Sequence, residues 1–220
     1  MTTKSHVTPQ EAFWAGEFGS EYIGRNDSAA MVATNLNTFC KALKYAKMDI
    51  KSALEIGANI GMNLKALQLL YPGIHLKAVE INRDAAKRLV NLIGERNVFE
   101  GSIFDYPNHE KVDLAMAKGV LIHINPDKLQ GVYEMLYKAS RRFILLAEYY
   151  NPAPIEITYR GHADRLFKRD FAGEMLDKYP DLRLVDYGFV YHRDPVFPDD
   201  DINWFLLEKN EIHTNPFRAP

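Results

Sequence analysis

Two kinds of residue in this sequence could do chemistry: side chains able to exchange a proton near neutral pH, and a turn whose glycines would let a ligand come close. His123, in "GVLIHINPDKL", has the side chain whose unperturbed pKa lies nearest neutrality, so it could accept a proton or pack as a neutral ring against a bound molecule. Glu148, Tyr149 and Tyr150, in "AEYYNP", end a later apolar run, where an acid and hydroxyls could orient a polar substrate. His162 follows in a densely charged stretch and, with Glu148, is the next candidate for a proton acceptor. The turn lies in "ALEIGANIGMN", residues 53–63, where Glu55, Gly57, Asn59, Gly61 and Asn63 occupy alternate positions.

Motif spacing narrows what that turn could hold. A dinucleotide-binding turn needs G-x-G-x-x-G, and counting from Gly57 this chain has Asn59 and Met62 at the second and third glycine positions. Asn59 would put a side chain where a pyrophosphate must come closest, which disfavours NAD. A G-x-x-x-x-G-K-[ST] phosphate loop is also absent, because the glycines are too close and no Lys-Ser or Lys-Thr follows. The remaining pattern, E-x-G-x-N-x-G-x-N, resembles the first motif of class I S-adenosylmethionine-dependent methyltransferases, with asparagine in place of the usual middle glycine. That resemblance implies S-adenosyl-L-methionine as cofactor, its methionine and ribose lying over the turn.

Later strand ends extend the pattern. Glu80, 23 residues after Gly57 and followed by Ile81, ends a second apolar run, where a carboxylate can accept both ribose hydroxyls. "GSIFDY" follows a third run; in the family this segment lies along adenine, which assigns Ser102, Ile103, Phe104 and Asp105 to the ring and its amine. Lys118 and Gly119, after a fourth run, complete the expected cofactor shell. Methyl transfer from a sulfonium is an in-line displacement, so the protein must align the nucleophile and, where there is one, take its proton. Among the residues near that fourth end, His123 reads more readily as cofactor shell than as proton acceptor.

The elements that must position these residues follow from alternation of short apolar runs with helical stretches. "SALEI", "HLKAVEI", "NVFEG", "KVDLAMA" and "RFILLAEYY" read as strands, with helices over 60–70, 84–92 and 127–137 between them. Such βα units imply right-handed crossovers and a parallel sheet covered on both faces. A further helix is expected over 29–47, where apolar residues recur near the 3.6 period, and another over 171–179. "RLVDYGFVYH" and "NWFLLEK", joined by a Pro- and Asp-rich loop, read as a closing antiparallel hairpin. The fold class is therefore α/β: with the family resemblance, a Rossmann-like class I methyltransferase fold with a mostly parallel seven-stranded sheet. The expected organisation is a single methyltransferase domain over 1–220, with an N-terminal lid segment (1–28), a cofactor-binding core (29–150), a substrate-side insertion and helix (151–180) and the hairpin (181–210).

Composition bounds the partners. The 27 basic and 29 acidic residues nearly cancel, so no strong field would draw the chain to nucleic acid or an anionic membrane, and a small molecule becomes the expected partner. No 18-residue apolar run or signal-type start is present, and the single Cys40 cannot form an internal disulfide, so the expected compartment is the cytoplasm. Cys40, in an apolar helical stretch, is expected to be a buried, inert thiol. No His/Cys/Asp cluster has ligand spacing, so no metal is expected; the number of chains in the assembly is not fixed by the sequence.

"FWAGEFGSEYIGRN", "EIGANIGMNLKAL", "KGVLIHINPDKL", "AEYYNP" and "YRGHADRLFKRDFAGEMLDKYPDLRLVDYGFVYHRD" together resemble the pseudaminic acid biosynthesis-associated methylases over nearly the whole chain. The resemblance implies a methyltransferase acting in nonulosonic acid sugar biosynthesis, on an oxygen or nitrogen of a small polar acceptor. The aromatic N-terminal segment reads as a lid, in which Trp14, Phe18 and Tyr22 would close over the site and Arg25 would pair with the methionine carboxylate. Tyr159, Arg160, Arg165, Lys168 and Arg169 of the insertion, with His192 and Arg193 of the hairpin, would surround the pocket with cations and favour an anionic acceptor. The alternatives are an amino-acid-like acceptor, RNA or protein as acceptor, or a non-catalytic S-adenosylmethionine-binding protein.

Overall fold

The computed structural model describes residues 8–24, 27–46, 50–107 and 110–210. Two short helices, α1 (Pro9–Ala15) and α2 (Glu17–Ile23), precede the longer α3 (Ala29–Ala42). The alternating core follows: β1 (Ser52–Ile56), α4 (Met62–Leu70), β2 (His75–Glu80), α5 (Arg83–Ile93), β3 (Val98–Glu100), β4 (Val112–Lys118), α6 (Leu129–Ala139) and β5 (Ser140–Glu148). The chain then forms β6 (Ile155–Tyr159), β7 (His162–Lys168), α7 (Phe171–Lys178), β8 (Leu182–Phe189) and β9 (Asn203–Lys209).

Seven strands form one sheet in the order β3-β2-β1-β4-β5-β9-β8. Strands β1 to β5 pair in parallel, whereas β9 runs antiparallel to both β5 and β8. The central strands are continuous apolar runs because both sheet faces are covered. On one face Phe39 of α3, Leu64 and Leu67 of α4 and Leu89 of α5 pack with Leu114, Met116 and Leu145. On the other, Val132, Tyr133 and Leu136 of α6 and Phe171 and Met175 of α7 pack with Leu54, Ile56 and Ile144. Truncating one of the buried leucines to alanine costs about 2–5 kcal/mol in such a core. Strand order reverses between β1 and β4, which opens a crevice beyond the carboxyl ends of the strands.

The expected alternation, sheet and closing hairpin are present, and three local expectations change. The insertion carries its own two-stranded antiparallel sheet, β6–β7, with Arg160 (φ +49°) and Gly161 (φ +85°) between the strands. Positive φ at both residues makes this a type I′ turn, whose twist matches the paired strands. The N-terminal segment holds two helices, because the Cβ-free Gly16 and Gly19 let the chain fold back on itself: a Cβ on Gly19 would lie 1.9 Å from the Trp14 carbonyl oxygen. Cys40 is exposed, since it falls on the outer face of α3 while its neighbour Phe39 takes the core position. Residues 47–49, at the expected end of α3, lie outside the described residues. Among the described residues no helix is long and apolar enough to cross a membrane.

Candidate active site

The turn after β1 is built from its backbone outward. Gly57 has φ +61°, and a Cβ there would stand 2.6 Å from a methyl of Val120, so both conformation and close approach require glycine. Asn59 takes φ +49°, a conformation asparagine tolerates better than most residues. Its N–H donates to Glu80 Oε2 at 2.7 Å, and the N–H of Asn82 donates to Glu80 Oε1 at 2.7 Å. Burial pushes the Glu80 pKa up, opposed by these backbone N–H groups. The carboxylate thus ties the ends of β1 and β2 together at the mouth of the crevice.

A cavity of about 340 Å³ opens there. Of the residues expected to bind cofactor, Gly57, Asn59, Asn63, Glu80, Ile81, Ile103, Phe104, Lys118, Gly119, Trp14 and Tyr22 line it. Glu55 and Gly61 lie beneath the turn instead. Glu55 is fully buried, accepts a hydrogen bond from Asn63 Nδ2 at 2.6 Å, and has its pKa pushed up to about 8 by burial. Gly61 donates back to the Ala58 carbonyl at 2.9 Å, closing the turn. Ser102 and Asp105 also lie off the lining: the Ser102 hydroxyl donates to Glu11 and accepts from the Phe104 N–H. Arg25 falls outside the described residues.

The residues expected to do chemistry separate in space. His123 lines the cavity, packed between Trp14 (ring centroids 4.6 Å apart) and Tyr159 (4.9 Å). Its Nδ1 lies 2.6 Å from the Arg165 carbonyl oxygen, which can only accept, so Nδ1 carries the proton and Nε2 is the bare acceptor. Burial lowers its pKa to about 4, leaving the ring neutral at physiological pH. Tyr149 also lines the cavity. Glu148 does not: Oε1 accepts from Val120 and Leu121 N–H at 3.0 Å each, and Oε2 from Ile122 N–H at 3.4 Å. Burial pushes its pKa up to about 7 against those three donors. Its place is under the loop that carries His123, with both oxygens occupied. His162 lies off the lining as well, edge-on to Phe13 at 5.1 Å.

Of the expected substrate residues, Tyr159 and Arg160 at the β6–β7 turn reach the cavity. Tyr150, Arg165, Lys168, Arg169, His192 and Arg193 do not line it. Several of these side chains have partners of their own: Arg165 over Phe13 (5.2 Å), Arg169 with Glu174 (2.5 Å) and His192 with Asp201 (2.8 Å), while Lys168 stands over the lining residue Tyr149 (4.9 Å). Of the cations expected around the pocket, Arg160 alone among the substrate-side residues lines it.

Other lining residues escape a reading by motif. Asn82 is buried; its Oδ1 caps α5 by accepting from Asp84 and Ala85 N–H at 3.0 and 3.1 Å. Its Nδ2 donates to Trp14 O (3.3 Å), Gly16 O (3.4 Å) and Ser20 Oγ (3.1 Å), fastening the α1–α2 segment to the end of β2. An asparagine between a strand and a helical stretch is an N-cap signal, so its first role was readable in "EINRD". Asp199 and Asp200 enter the cavity from the β8–β9 loop, Asp199 pairing with Lys118 at 3.0 Å. Asn35 of α3 lines it too. Among the described residues no group of three or more His, Cys, Asp or Glu side chains could hold a metal ion.

A scan against protein-family models finds no match, and neither does a search of curated proteins. Solved structures do match in fold. The 1,6-didemethyltoxoflavin-N1-methyltransferase of Burkholderia thailandensis, solved with 1,6-didemethyltoxoflavin and S-adenosylhomocysteine, is 18% identical with a TM-score of 0.65; the match covers 96% of this chain and 94% of that one. An amino pentose methyltransferase of Micromonospora echinaspora, solved with SAM and involved in calicheamicin biosynthesis, is 10% identical with a TM-score of 0.60, over 88% of this chain and 96% of that one. A mitomycin 7-O-methyltransferase is 13% identical with a TM-score of 0.63, over 91% of this chain but only 60% of that one, so this chain spans less than two thirds of its length. At these identities the likeness is one of fold: the sheet is the Rossmann-like sheet of class I methyltransferases.

Proposed function

We propose that this protein is an S-adenosylmethionine-dependent methyltransferase acting on an oxygen or nitrogen of a small polar acceptor. The observation that carries the reading is the convergence of three strand ends on one cavity: the Gly57–Asn59 turn, the Glu80 carboxylate bonded to it, and the Ile103–Phe104 segment. These groups fit the proposed cofactor. With Asn59, Ile81 and Asn82 N–H groups on it, the Glu80 carboxylate retains a lone pair for a ribose hydroxyl, Ile103 and Phe104 offer apolar surface to adenine, and the turn brings backbone without a bulky side chain at Gly57. When bound, the cofactor supplies a methyl carbon on a positively charged sulfur. The chain's share is to exclude water with Trp14 and Tyr22, to orient the acceptor with Tyr149, Tyr159 and Arg160, and to offer the bare Nε2 of His123 as a hydrogen-bond acceptor.

A role in nonulosonic acid biosynthesis rests on the sequence resemblance alone. The structural relatives named above have acceptors as different as 1,6-didemethyltoxoflavin and an amino pentose. Calorimetry with S-adenosylhomocysteine tests the cofactor: wild type should bind, and Glu80→Ala should bind at least about tenfold more weakly, a loss of about 1.4 kcal/mol. A wild type that does not bind ends the proposal.

A further inference from the structure

The β6–β7 ladder breaks beside His123. Its register pairs Ile157 with Leu166 and Tyr159 with His162, so three residues of β7, 163–165, stand opposite Thr158 alone. Extra residues of this kind leave the ladder and re-aim a strand's groups, and they recur beside active sites. Asp164, at the centre of the bulge, takes φ +56°, a conformation that non-glycine residues rarely adopt and that persists only where the surroundings impose it. The backbone there is held by three hydrogen bonds: the Asp164 N–H donates to Glu156 Oε1 at 2.8 Å, the Asp164 carbonyl accepts from Gln10 Nε2 at 3.0 Å, and the Arg165 carbonyl accepts from His123 Nδ1 at 2.6 Å. Gln10 and His123 both line the cavity. Asp164 is exposed and enters these bonds through its N–H and carbonyl, so its conformation matters here and its carboxylate does not.

Which nitrogen of a neutral imidazole carries the proton is set by the hydrogen bond that the other makes. Without a carbonyl at Nδ1, His123 would divide its proton between the two nitrogens, and the form protonated on Nε2 could only donate from that atom. We propose that Asp164 is a positioning residue of the site: its bulge aims the Arg165 carbonyl at His123, which fixes the proton on Nδ1 and reserves Nε2 for an N–H or O–H group of the methyl acceptor. The inference rests on the methyltransferase reading for what Nε2 meets, and on the hairpin alone for the tautomer.

The test is the imidazole nitrogen NMR spectrum of the full chain, with the His123 signals assigned by their loss in His123→Gln. Wild type should show Nδ1 protonated and Nε2 bare. Asp164→Gly adopts a positive φ without strain and should keep that tautomer. Asp164→Val, whose branched Cβ resists a positive φ, should give a mixture of the two tautomers. Glu156→Ala, an exposed substitution that frees the Asp164 N–H, should shift the ring the same way and decides the matter if Asp164→Val does not fold. A wild-type ring protonated on Nε2, a mixture in Asp164→Gly, or the wild-type spectrum in the deciding variant would each overturn the assignment. Calorimetry with S-adenosylhomocysteine on the same samples separates the two readings: a wild type that keeps the tautomer yet does not bind would overturn the methyltransferase reading and the use given to Nε2, and leave the role of Asp164 in setting the tautomer standing.

Discussion

Glu148 and His123 illustrate how a side chain's surroundings decide its role. Both stand near the strand ends where catalysis is expected, yet Glu148 spends its two oxygens on three backbone N–H groups of the loop that positions His123. Glu148→Gln keeps an oxygen for the two shorter bonds and should preserve turnover, with a stability cost of about 1 kcal/mol. Glu148→Ala leaves three buried N–H groups without a partner and should cost at least about 3 kcal/mol by urea unfolding. If Glu148 were instead the proton acceptor, the Gln variant would lose turnover at nearly unchanged stability. The acid's location was legible in "AEYYNP", but its orientation was not. Which way a strand-end side chain turns depends on donors 26 to 28 residues away in the chain.

At the scale of elements, one of the side chains that hold the α1–α2 segment, Asn82, has two separable jobs. Asn82→Asp keeps the oxygen that caps α5 but loses the Nδ2 donors that hold Trp14, Gly16 and Ser20. The α5 cap should survive, because aspartate caps helices as well as asparagine does, while a buried carboxylate facing the Trp14 and Gly16 carbonyls should lower stability by about 1–3 kcal/mol. Affinity for S-adenosylhomocysteine should fall, with faster proteolysis in residues 8–24; unchanged affinity would remove the lid from the binding process. The central strands were legible because burial on both faces leaves uninterrupted apolar runs: β1 and β9 have the bounds read from "SALEI" and "NWFLLEK". The β6–β7 hairpin was not, because β6 alternates over only five residues, β7 carries no apolar alternation, and an Arg-Gly pair is a weak turn signal. Asp199 is invisible to motif reading for another reason: its partner Lys118 lies 81 residues earlier and meets it only once the sheet has formed.

For the whole molecule, buried titratable groups shape the dependence of stability on pH, Glu55, Glu148 and His123 among them. Glu55 and Glu148 have folded pKa values raised from 4.5 to about 8 and about 7, so between those limits the folded chain binds more protons than the unfolded one. Their contribution is present below pH 4.5 and is lost as pH rises through 7 and 8. His123, lowered from 6.5 to about 4, has the opposite sign: its contribution is present above pH 6.5 and lost as pH falls toward 4. The two effects partly offset below pH 6.5, and the acids alone act above it. Glu55→Gln should therefore flatten the decline between about pH 7 and 8, by on the order of 1 kcal/mol, read from urea midpoints. A parallel decline in both proteins would show that Glu55 ionises freely. The turn that presents Arg160 sets a different tension, between endurance and use. A non-glycine residue at φ +49° costs about 1 kcal/mol, and asparagine or glycine would relieve much of it. Arg160→Asn should then raise the melting temperature by about 2–4 °C while weakening acceptor capture, measured as KM. A library screened for heat resistance alone would replace this arginine early, selecting a sturdier protein with a poorer grip.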